Sequence, residues 1–196
     1  MRSNLIISTL FLIACFSGCE NKKLQYFEYS EIQSLVLDSA IGNPKVWNRD
    51  TTISNYKPIL NIDIADSLDL YKLRVKEDLL KPRWLDTTNL FVREEFLNLI
   101  ESNEIITLKN PDEDVSNLKI DNYVLNFTKE IQAEYFSNDT IGHLTFYPLI
   151  NNRSLINAIQ VCNFHKFGDW GFCKVFFLKK TKGKWNIVGS NMLWIS

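Results

Sequence analysis

The residues best suited to chemistry are two cysteines and a histidine near the far end of the chain. Cys162, His165 and Cys173, with Asp169, form a donor set that zinc accepts, and a reduced, exposed thiol beside His165 would be a nucleophile. If the strands flanking residues 167–169 pair as mirror images, however, Cys162 lies opposite Cys173 at a separation that a disulfide bridges. The sequence therefore favours a Cys162–Cys173 disulfide over free thiols, and free thiols over a metal site.

Motifs for other chemistry do not occur in the sequence. The two histidines of the chain are too few for a histidine-rich metal centre, and there is neither a Gly-x-Ser-x-Gly elbow nor a glycine-rich phosphate loop. The carboxylates of Asp63, Asp66 and Asp69 are typical of a helix start. We therefore predict no catalytic residue, no cofactor and no metal. The sequence favours a non-enzymatic protein over an enzyme.

Aromatic residues near the cysteines offer a surface for recognition. His165, Phe167 and Trp170 surround the turn predicted at residues 167–169, and we expect Trp170 to be partly exposed. The alternative is that the aromatic side chains of this region are core residues and cross-strand pairs. The candidate recognition surface is therefore His165, Phe167 and Trp170.

The start of the chain predicts export. One positive charge precedes an apolar run from Leu5 to Ala14, which is the pattern of a secretory signal. The run is shorter than the about 20 apolar residues that span a bilayer, and it lacks the polar alternation of a core helix. We expect residues 1–18 to be a signal peptide, residues 19–28 a tether and residues 29–196 a single domain.

Two cysteines end this leader, and both resemble the lipobox cysteine of bacterial lipoproteins. Cys15 ends the tetrapeptide LIAC and Cys19 ends FSGC. In that family the cysteine becomes the first mature residue and carries lipid, which implies attachment to a membrane. Polar residues follow Cys19, whereas Phe16 follows Cys15, and modification of Cys19 leaves an even number of mature cysteines. Cys19 is the favoured site of lipid attachment, and Cys15 is the alternative.

The charge of the chain argues against nucleic acid as a partner. Because the leader carries only Arg2, the mature part keeps 21 basic and 23 acidic residues, a net charge near −2. No basic face is evident from the sequence. The expected partners are a membrane, through the lipid anchor, and an envelope protein.

Periodicity predicts helices in the first half of the chain and strands in the second. Helices are expected from Ser30 to Gly42, within residues 62–80, and from about Leu90 to Ser102. This order predicts an α+β fold, with N-terminal helices packed against a C-terminal antiparallel β-sheet built of sequential hairpins. The strand candidates are residues 105–108, 115–127, 141–147, 155–163, 173–180 and 184–189.

The last predicted hairpin turns at residues 180–183, where Gly183 suits a positive φ. Symmetric pairing about this turn places Phe177 opposite Ile187. The same register places Lys179 opposite Trp185.

In this region the chain resembles small lipoproteins of the Bacteroidota that have no assigned activity. They share a Pro-Ile or Pro-Val step, a turn containing Cys and Gly, a Gly-Lys-Trp hairpin and a Trp-Ile-Ser ending. The resemblance covers roughly the final quarter of the chain and implies an envelope location but no catalytic residue. The turn between the cysteines is longer here than in the family. The matching residues are Pro148, Ala158, Cys162, Gly171, Cys173, Phe176, Phe177, Leu178, Gly183, Lys184, Trp185, Ile187, Val188, Trp194, Ile195 and Ser196.

Five Asp-Ser or Asp-Thr triplets resemble the O-glycosylation motif of exported proteins of these bacteria. The motif continues with a small or apolar residue, and chance would supply about one copy. The alternative is that these are ordinary turn and cap residues. The candidate acceptors are Ser39, Thr51, Ser67, Thr87 and Thr140.

These features predict a membrane-anchored envelope lipoprotein with a non-enzymatic binding or structural role. The alternative is a small enzyme or ligand carrier whose helices close a sheet around a pocket, as in NTF2-like domains. An exposed aromatic patch near residues 164–172 would favour binding. A buried pocket with converging polar groups would favour the alternative.

Overall fold

The computed structural model of the protein describes most of the chain beyond residue 28. The predicted signal peptide, both candidate lipid-attachment cysteines and the tether lie outside the described residues, as do Thr51, Thr87 and Phe167. The described ranges are 29–42, 57–65, 67, 69–81, 90–102, 106–108, 118, 123–127, 140–151, 154–166 and 170–196.

The first described element is helix α1, residues 29–41, at the position that the sequence predicts. Ile32, Val36 and Leu37 are buried on one side of it, as their helical spacing requires. The helix ends at Gly42, whose φ of 71° suits a residue without Cβ. Residue 29 is already helical, one residue before the predicted start at Ser30.

A strand precedes the second helix, so the helix predicted within residues 62–80 is wrong in its first part. Strand β1 spans Ile59–Ile64 and helix α2 spans Asp69–Leu79. The apolar residues of β1 alternate with polar ones, and Leu60 and Ile62 are buried, which is the period of a strand. Helix α3, Leu90–Glu101, confirms the third predicted helix.

Seven further strands join β1 in a mixed sheet. β1 pairs in parallel with β3 and β4, whereas the other described pairings are antiparallel. The α+β class is confirmed, but the sheet is not built of sequential hairpins alone. The strands are β2, Ile106–Leu108; β3, Val124–Phe127; β4, Thr140–Phe146; β5, Leu149–Asn151; β6, Asn157–His165; β7, Gly171–Thr181; and β8, Lys184–Ile195.

Helices cover both faces of the sheet, a distribution that the prediction did not specify. Strands β6 and β7 are buried along most of their length, and successive apolar side chains enter two separate cores. Phe176 lies in a core with α1, and Phe177 lies in a core with α2 and α3. Each ring is fully buried, and each contributes about 1.5–3 kcal/mol of hydrophobic stabilisation. We call the two sides the α1 face and the α2–α3 face.

A break between β4 and β5 is bridged by a glutamine. Phe146 pairs with Cys162 and Ile150 pairs with Ile159, so one extra residue lies on the β4–β5 side. Pro148 has no N–H to donate there. At this position the Nε2 of the fully buried Gln160 donates a hydrogen bond to the carbonyl oxygen of Tyr147, at 2.5 Å. This hydrogen bond satisfies a buried acceptor, which would cost about 1–3 kcal/mol of stability if left unpaired.

The last hairpin has a two-residue turn, and its register differs by one from the prediction. Lys182 and Gly183 both have positive φ, 51° and 79°, as the tight turns of twisted hairpins require. Thr181 pairs with Lys184, so Ile187 lies opposite Leu178 and not Phe177. By the same shift, the partner of Trp185 is Lys180 and not Lys179.

The predicted disulfide is also wrong by one residue of register. Cys173 pairs with Asn163, and Cys162 pairs with Lys174. A slip of one residue moves a side chain to the other side of a sheet, and the two thiols belong to different cores. Both cysteines are free and buried.

No helix among the described residues is long and apolar enough to cross a membrane.

We predict that the thiols of Cys162 and Cys173 react with iodoacetamide slowly in the native protein and quickly after denaturation, because both are buried on opposite faces. A reductant is expected to leave the thermal unfolding midpoint unchanged. Mass spectrometry after alkylation measures both thiols, and Cys162→Ser and Cys173→Ser assign each modification. A Cys162–Cys173 crosslinked peptide from non-reduced protein would contradict the register.

Candidate functional site

The structure places two of the residues predicted for recognition on opposite faces of the sheet. The ring of Trp170 contacts Phe164 and Phe172 edge-on, at centroid distances of 6.1 and 5.8 Å, and both partners belong to the core of the α1 face. The ring of His165 instead contacts Trp194, at 5.6 Å. The single recognition surface of the prediction is therefore two separate features.

The first feature, which we call the histidine site, consists of His143, Asn163, His165 and Trp194. The pairing of β4 with β6 sets His143 directly opposite His165. The side-chain amide nitrogen of Asn163 lies 2.9 Å from Nε2 of His165. An amide nitrogen only donates, so Nε2 accepts, and the neutral ring carries its proton on Nδ1.

A bulge in β8 and a glycine in β7 shape the histidine site. Leu193 has no partner in β7, since Cys173 pairs with Trp194 and Lys174 with Met192. This bulge brings Trp194 to the α2–α3 face, in the way that bulges re-aim a side chain. A Cβ on Gly171 would lie 3.0 Å from Nδ1 of His165, so a glycine at this position makes room for the imidazole.

His143 is a buried histidine whose environment favours the neutral ring. It is 3% exposed, and burial lowers its pKa; the carboxylate of Asp63 opposes this shift, and His165 adds to it. Its Nε2 and the amide oxygen of Asn163 are buried without a hydrogen-bond partner among the described residues. Such atoms are rare in folded proteins, and they are the features of this site that could bind a polar ligand.

A pair of tyrosines connects the histidine site to helix α2. The hydroxyl of Tyr147 donates to the hydroxyl of Tyr71 at 3.3 Å, and the two rings lie 4.5 Å apart. Burial raises the pKa of Tyr147, as does Tyr71, whereas Asn163 acts in the opposite direction. The phenol of Tyr147 is therefore neutral near pH 7 and serves as a hydrogen-bonding group.

The cysteines are not placed for catalysis or for zinc. Burial raises the pKa of Cys173 to about 12, against a smaller opposing effect of Arg74, and burial also raises the pKa of Cys162. A protonated thiol is a poor nucleophile. The zinc alternative is not assembled either, because Cys162 points away from Cys173 and His165. No metal-binding group of three or more His, Cys, Asp or Glu residues occurs in the described part of the chain.

The second feature, which we call the Trp170 patch, consists of Trp170, Met192 and Ile195. These side chains are 38%, 42% and 62% exposed. Ile195 pairs with Phe172, a residue of the α1-face core, so the patch lies on that face. The sequence prediction missed Met192 and Ile195 because it ended the last strand at residue 189, before the bulge at Leu193.

The glycosylation candidates differ in exposure. Ser39 and Ser67 are exposed. Thr140 is only 7% exposed, which is unfavourable for a hydroxyl that must carry a bulky glycan. Thr51 and Thr87 lie outside the described residues.

Comparison of the chain with protein-family models, with curated proteins and with solved structures finds no match. The resemblance to lipoproteins of the Bacteroidota therefore stays a prediction. The segment that carries it corresponds mainly to strands β6, β7 and β8.

We predict that His143 makes the protein less stable as the pH falls. The unfolded chain binds a proton with the ordinary pKa of 6.5, while the folded chain binds it only at a lower pH. The free energy of unfolding should therefore fall below about pH 6.5 until the folded pKa is passed, by up to about 1.4 kcal/mol per pH unit. Urea titrations from pH 7.5 to 5 measure this slope, and His143→Gln should flatten it.

The same shift can be measured directly by nuclear magnetic resonance. His165→Gln leaves His143 as the only histidine, so its ring resonance is assigned without ambiguity. We expect a titration midpoint below 6.5, and a lower one still in Asp63→Asn, because the opposing carboxylate is lost. A midpoint at or above 6.5 in the folded protein would refute the environment described for His143.

Proposed function

We propose that the protein is a membrane-anchored envelope lipoprotein whose folded domain has a non-enzymatic binding or structural role. The observation that carries the binding role is the Trp170 patch, where a tryptophan, a methionine and an isoleucine stay exposed above a filled core. Exposed apolar patches of this kind mark interaction surfaces. The leader and the cysteine at its end support the anchor.

The assignment of the lipid to Cys19 now depends on one argument and not two. The parity argument assumed that Cys162 and Cys173 form a pair, and both are free in the structure. What remains is that Glu20, Asn21 and the lysines after them suit a solvated tether, whereas Phe16 follows Cys15. Cys19 remains the favoured site on that ground.

The chemistry of the described residues supports a role without catalysis. Neither buried thiol is ionised near pH 7, so neither supplies a nucleophile. His143 is almost completely buried. His165, which is exposed, contacts the amide of Asn163 and the indole of Trp194, and these contacts include no carboxylate of the described residues. An exposed imidazole beside an amide and an indole acts more readily as a hydrogen-bonding group than as a general acid or base.

We predict that the full-length protein takes up labelled palmitate in its bacterial host, and that Cys19→Ala abolishes the label. Cys15→Ala should keep it, and Cys162→Ala is the matched control because that thiol is buried far along the chain. The label is read by autoradiography of the immunoprecipitated protein. Label retained in Cys19→Ala and lost in Cys15→Ala would move the anchor to Cys15.

A small-ligand carrier or enzyme is the second candidate, and the histidine site favours it. Nε2 of His143 and the amide oxygen of Asn163 are buried and lack partners among the described residues, and they project from neighbouring strands onto the same face. A neutral ligand with both donor and acceptor groups would complete these hydrogen bonds. The aromatic rings of His165 and Trp194 adjoin the same position.

The second candidate predicts that the native protein retains a small molecule. Native mass spectrometry of protein purified from its envelope would show a mass excess that disappears on denaturation. His143→Phe and Asn163→Leu should abolish the excess, whereas Asn186→Leu, at the exposed hairpin, should keep it. The absence of any excess, or an excess that persists in both site variants, would exclude this function.

A further inference from the structure

The last three strands are basic, although the chain as a whole is slightly acidic. From Asn157 to Ser196 there are six lysines and one acidic residue, Asp169, whereas the remainder carries sixteen of the 22 basic residues and 22 of the 23 acidic ones. Such an asymmetry between parts of a chain points to an anionic partner. The net charge of the whole protein, −1, conceals it.

Most of these lysines lie on one side of the sheet or at its exposed turn. Lys174 extends over the ring of Phe176, with Nζ 4.9 Å from its centroid, and Lys180 extends over Trp185, at 5.8 Å. Both rings belong to the core of the α1 face. Lys182 and Lys184 are exposed at the hairpin turn. Lys179 projects to the other face, where Glu95 neutralises it at 2.8 Å.

The Trp170 patch shares the α1 face with Lys174 and Lys180; Lys174 adjoins it, whereas Lys180 lies toward the hairpin turn. Met192 pairs directly with Lys174, so an exposed aliphatic chain and an ammonium group occupy adjoining positions on the same face. Trp170 and Ile195 adjoin Phe172 at the end of these strands. Exposed tryptophan and aliphatic residues on a face that also carries lysines are characteristic of surfaces that lie in the membrane interface. There the ring and the aliphatic chains enter the headgroup region, and the ammonium groups contact lipid phosphates.

The position of the tether favours a bilayer as the occupant of this surface. Helix α1, which begins the described chain at residue 29, packs on the same face as the patch. If the lipid is on Cys19, the ten residues from 19 to 28 span at most about 35 Å. The anchor therefore keeps the α1 face close enough to the bilayer to contact the lipid headgroups.

A second copy of the chain is a poorer occupant. A second copy would have to pair with the outer edge of strand β8. Two residues of that strand, Val188 and Leu193, are skipped in the β7–β8 ladder. Bulges of this kind interrupt the regular spacing of edge hydrogen bonds and oppose pairing with another strand. The lysines of the surface would also repel one another across a twofold interface.

We propose that the face formed by the Trp170 patch with Lys174 and Lys180, and with Lys182 at the turn, docks on the surface of an anionic bilayer. The inference rests on the proposed lipid anchor, which brings the face to a membrane. Docking would fix the orientation of the domain and leave the α2–α3 face, with the histidine site, directed away from the lipid.

The test uses the mature chain from residue 19 onward with Cys19→Ser, so that no lipid is attached. Co-sedimentation with vesicles of phosphatidylcholine, with and without phosphatidylglycerol, gives the partition coefficient. We expect binding to the anionic vesicles, a loss of about tenfold or more in the double variant Lys174→Gln/Lys180→Gln, and a similar loss in Met192→Ser/Ile195→Ser. High salt should weaken binding of the unsubstituted chain.

Matched controls separate docking from general effects. Leu73→Ser removes a side chain that is 64% exposed on α2, and Lys57→Gln removes an exposed lysine outside the basic segment; both should bind as the parent does. Equal binding to neutral and anionic vesicles, unchanged binding in the patch variants, or binding to dextran sulphate without binding to vesicles would overturn the proposal. Because the chain in this assay carries no lipid, failure of the palmitate experiment would leave its result readable.

Discussion

The structure depends on strand β6, which is hydrogen-bonded along both edges and apolar on both faces. β4 and β5 share one edge, β7 occupies the other, and seven of its nine residues are buried without interruption. A strand in this position must direct alternate side chains into two cores, so the domain needs helices on both sides of the sheet. α1 supplies one cover, and α2 with α3 supplies the other.

Once the register of β6 and β7 is set, the surface chemistry follows from it. Asn163 and His165 share the α2–α3 face with the buried His143, while Phe164 and Phe172 on the other face support Trp170. The bulge at Leu193 then decides which face each of the next two residues occupies. Trp194 contacts His165 on the α2–α3 face, and Ile195 joins the exposed patch on the α1 face. The histidine site and the Trp170 patch thus lie back to back at the same end of strands β7 and β8.

Prediction from the sequence succeeded where a pattern was local and failed where it depended on pairing. The spacing of Ile32 and Val36 identified α1, and apolar periodicity identified α3. The predicted disulfide was wrong because β6 and β7 pair one residue away from the symmetric register, and one residue decides whether the two thiols meet or lie in separate cores. The histidine site was missed because its residues come from β4, β6 and β8, strands that are distant in sequence.

The sequence by itself determined the composition of each element: the apolar leader with its two cysteines, the strands that are apolar on both sides, and a C-terminal segment rich in lysine and poor in acid. These are properties of neighbouring residues, so a single strand or helix expresses them. Only the tertiary structure decided which side chains meet. The residues of a strand do not by themselves specify its register or which of its faces meets which core. The burial of His143, the separation of the two thiols and the placement of Trp170 and Ile195 on one face all depend on that register.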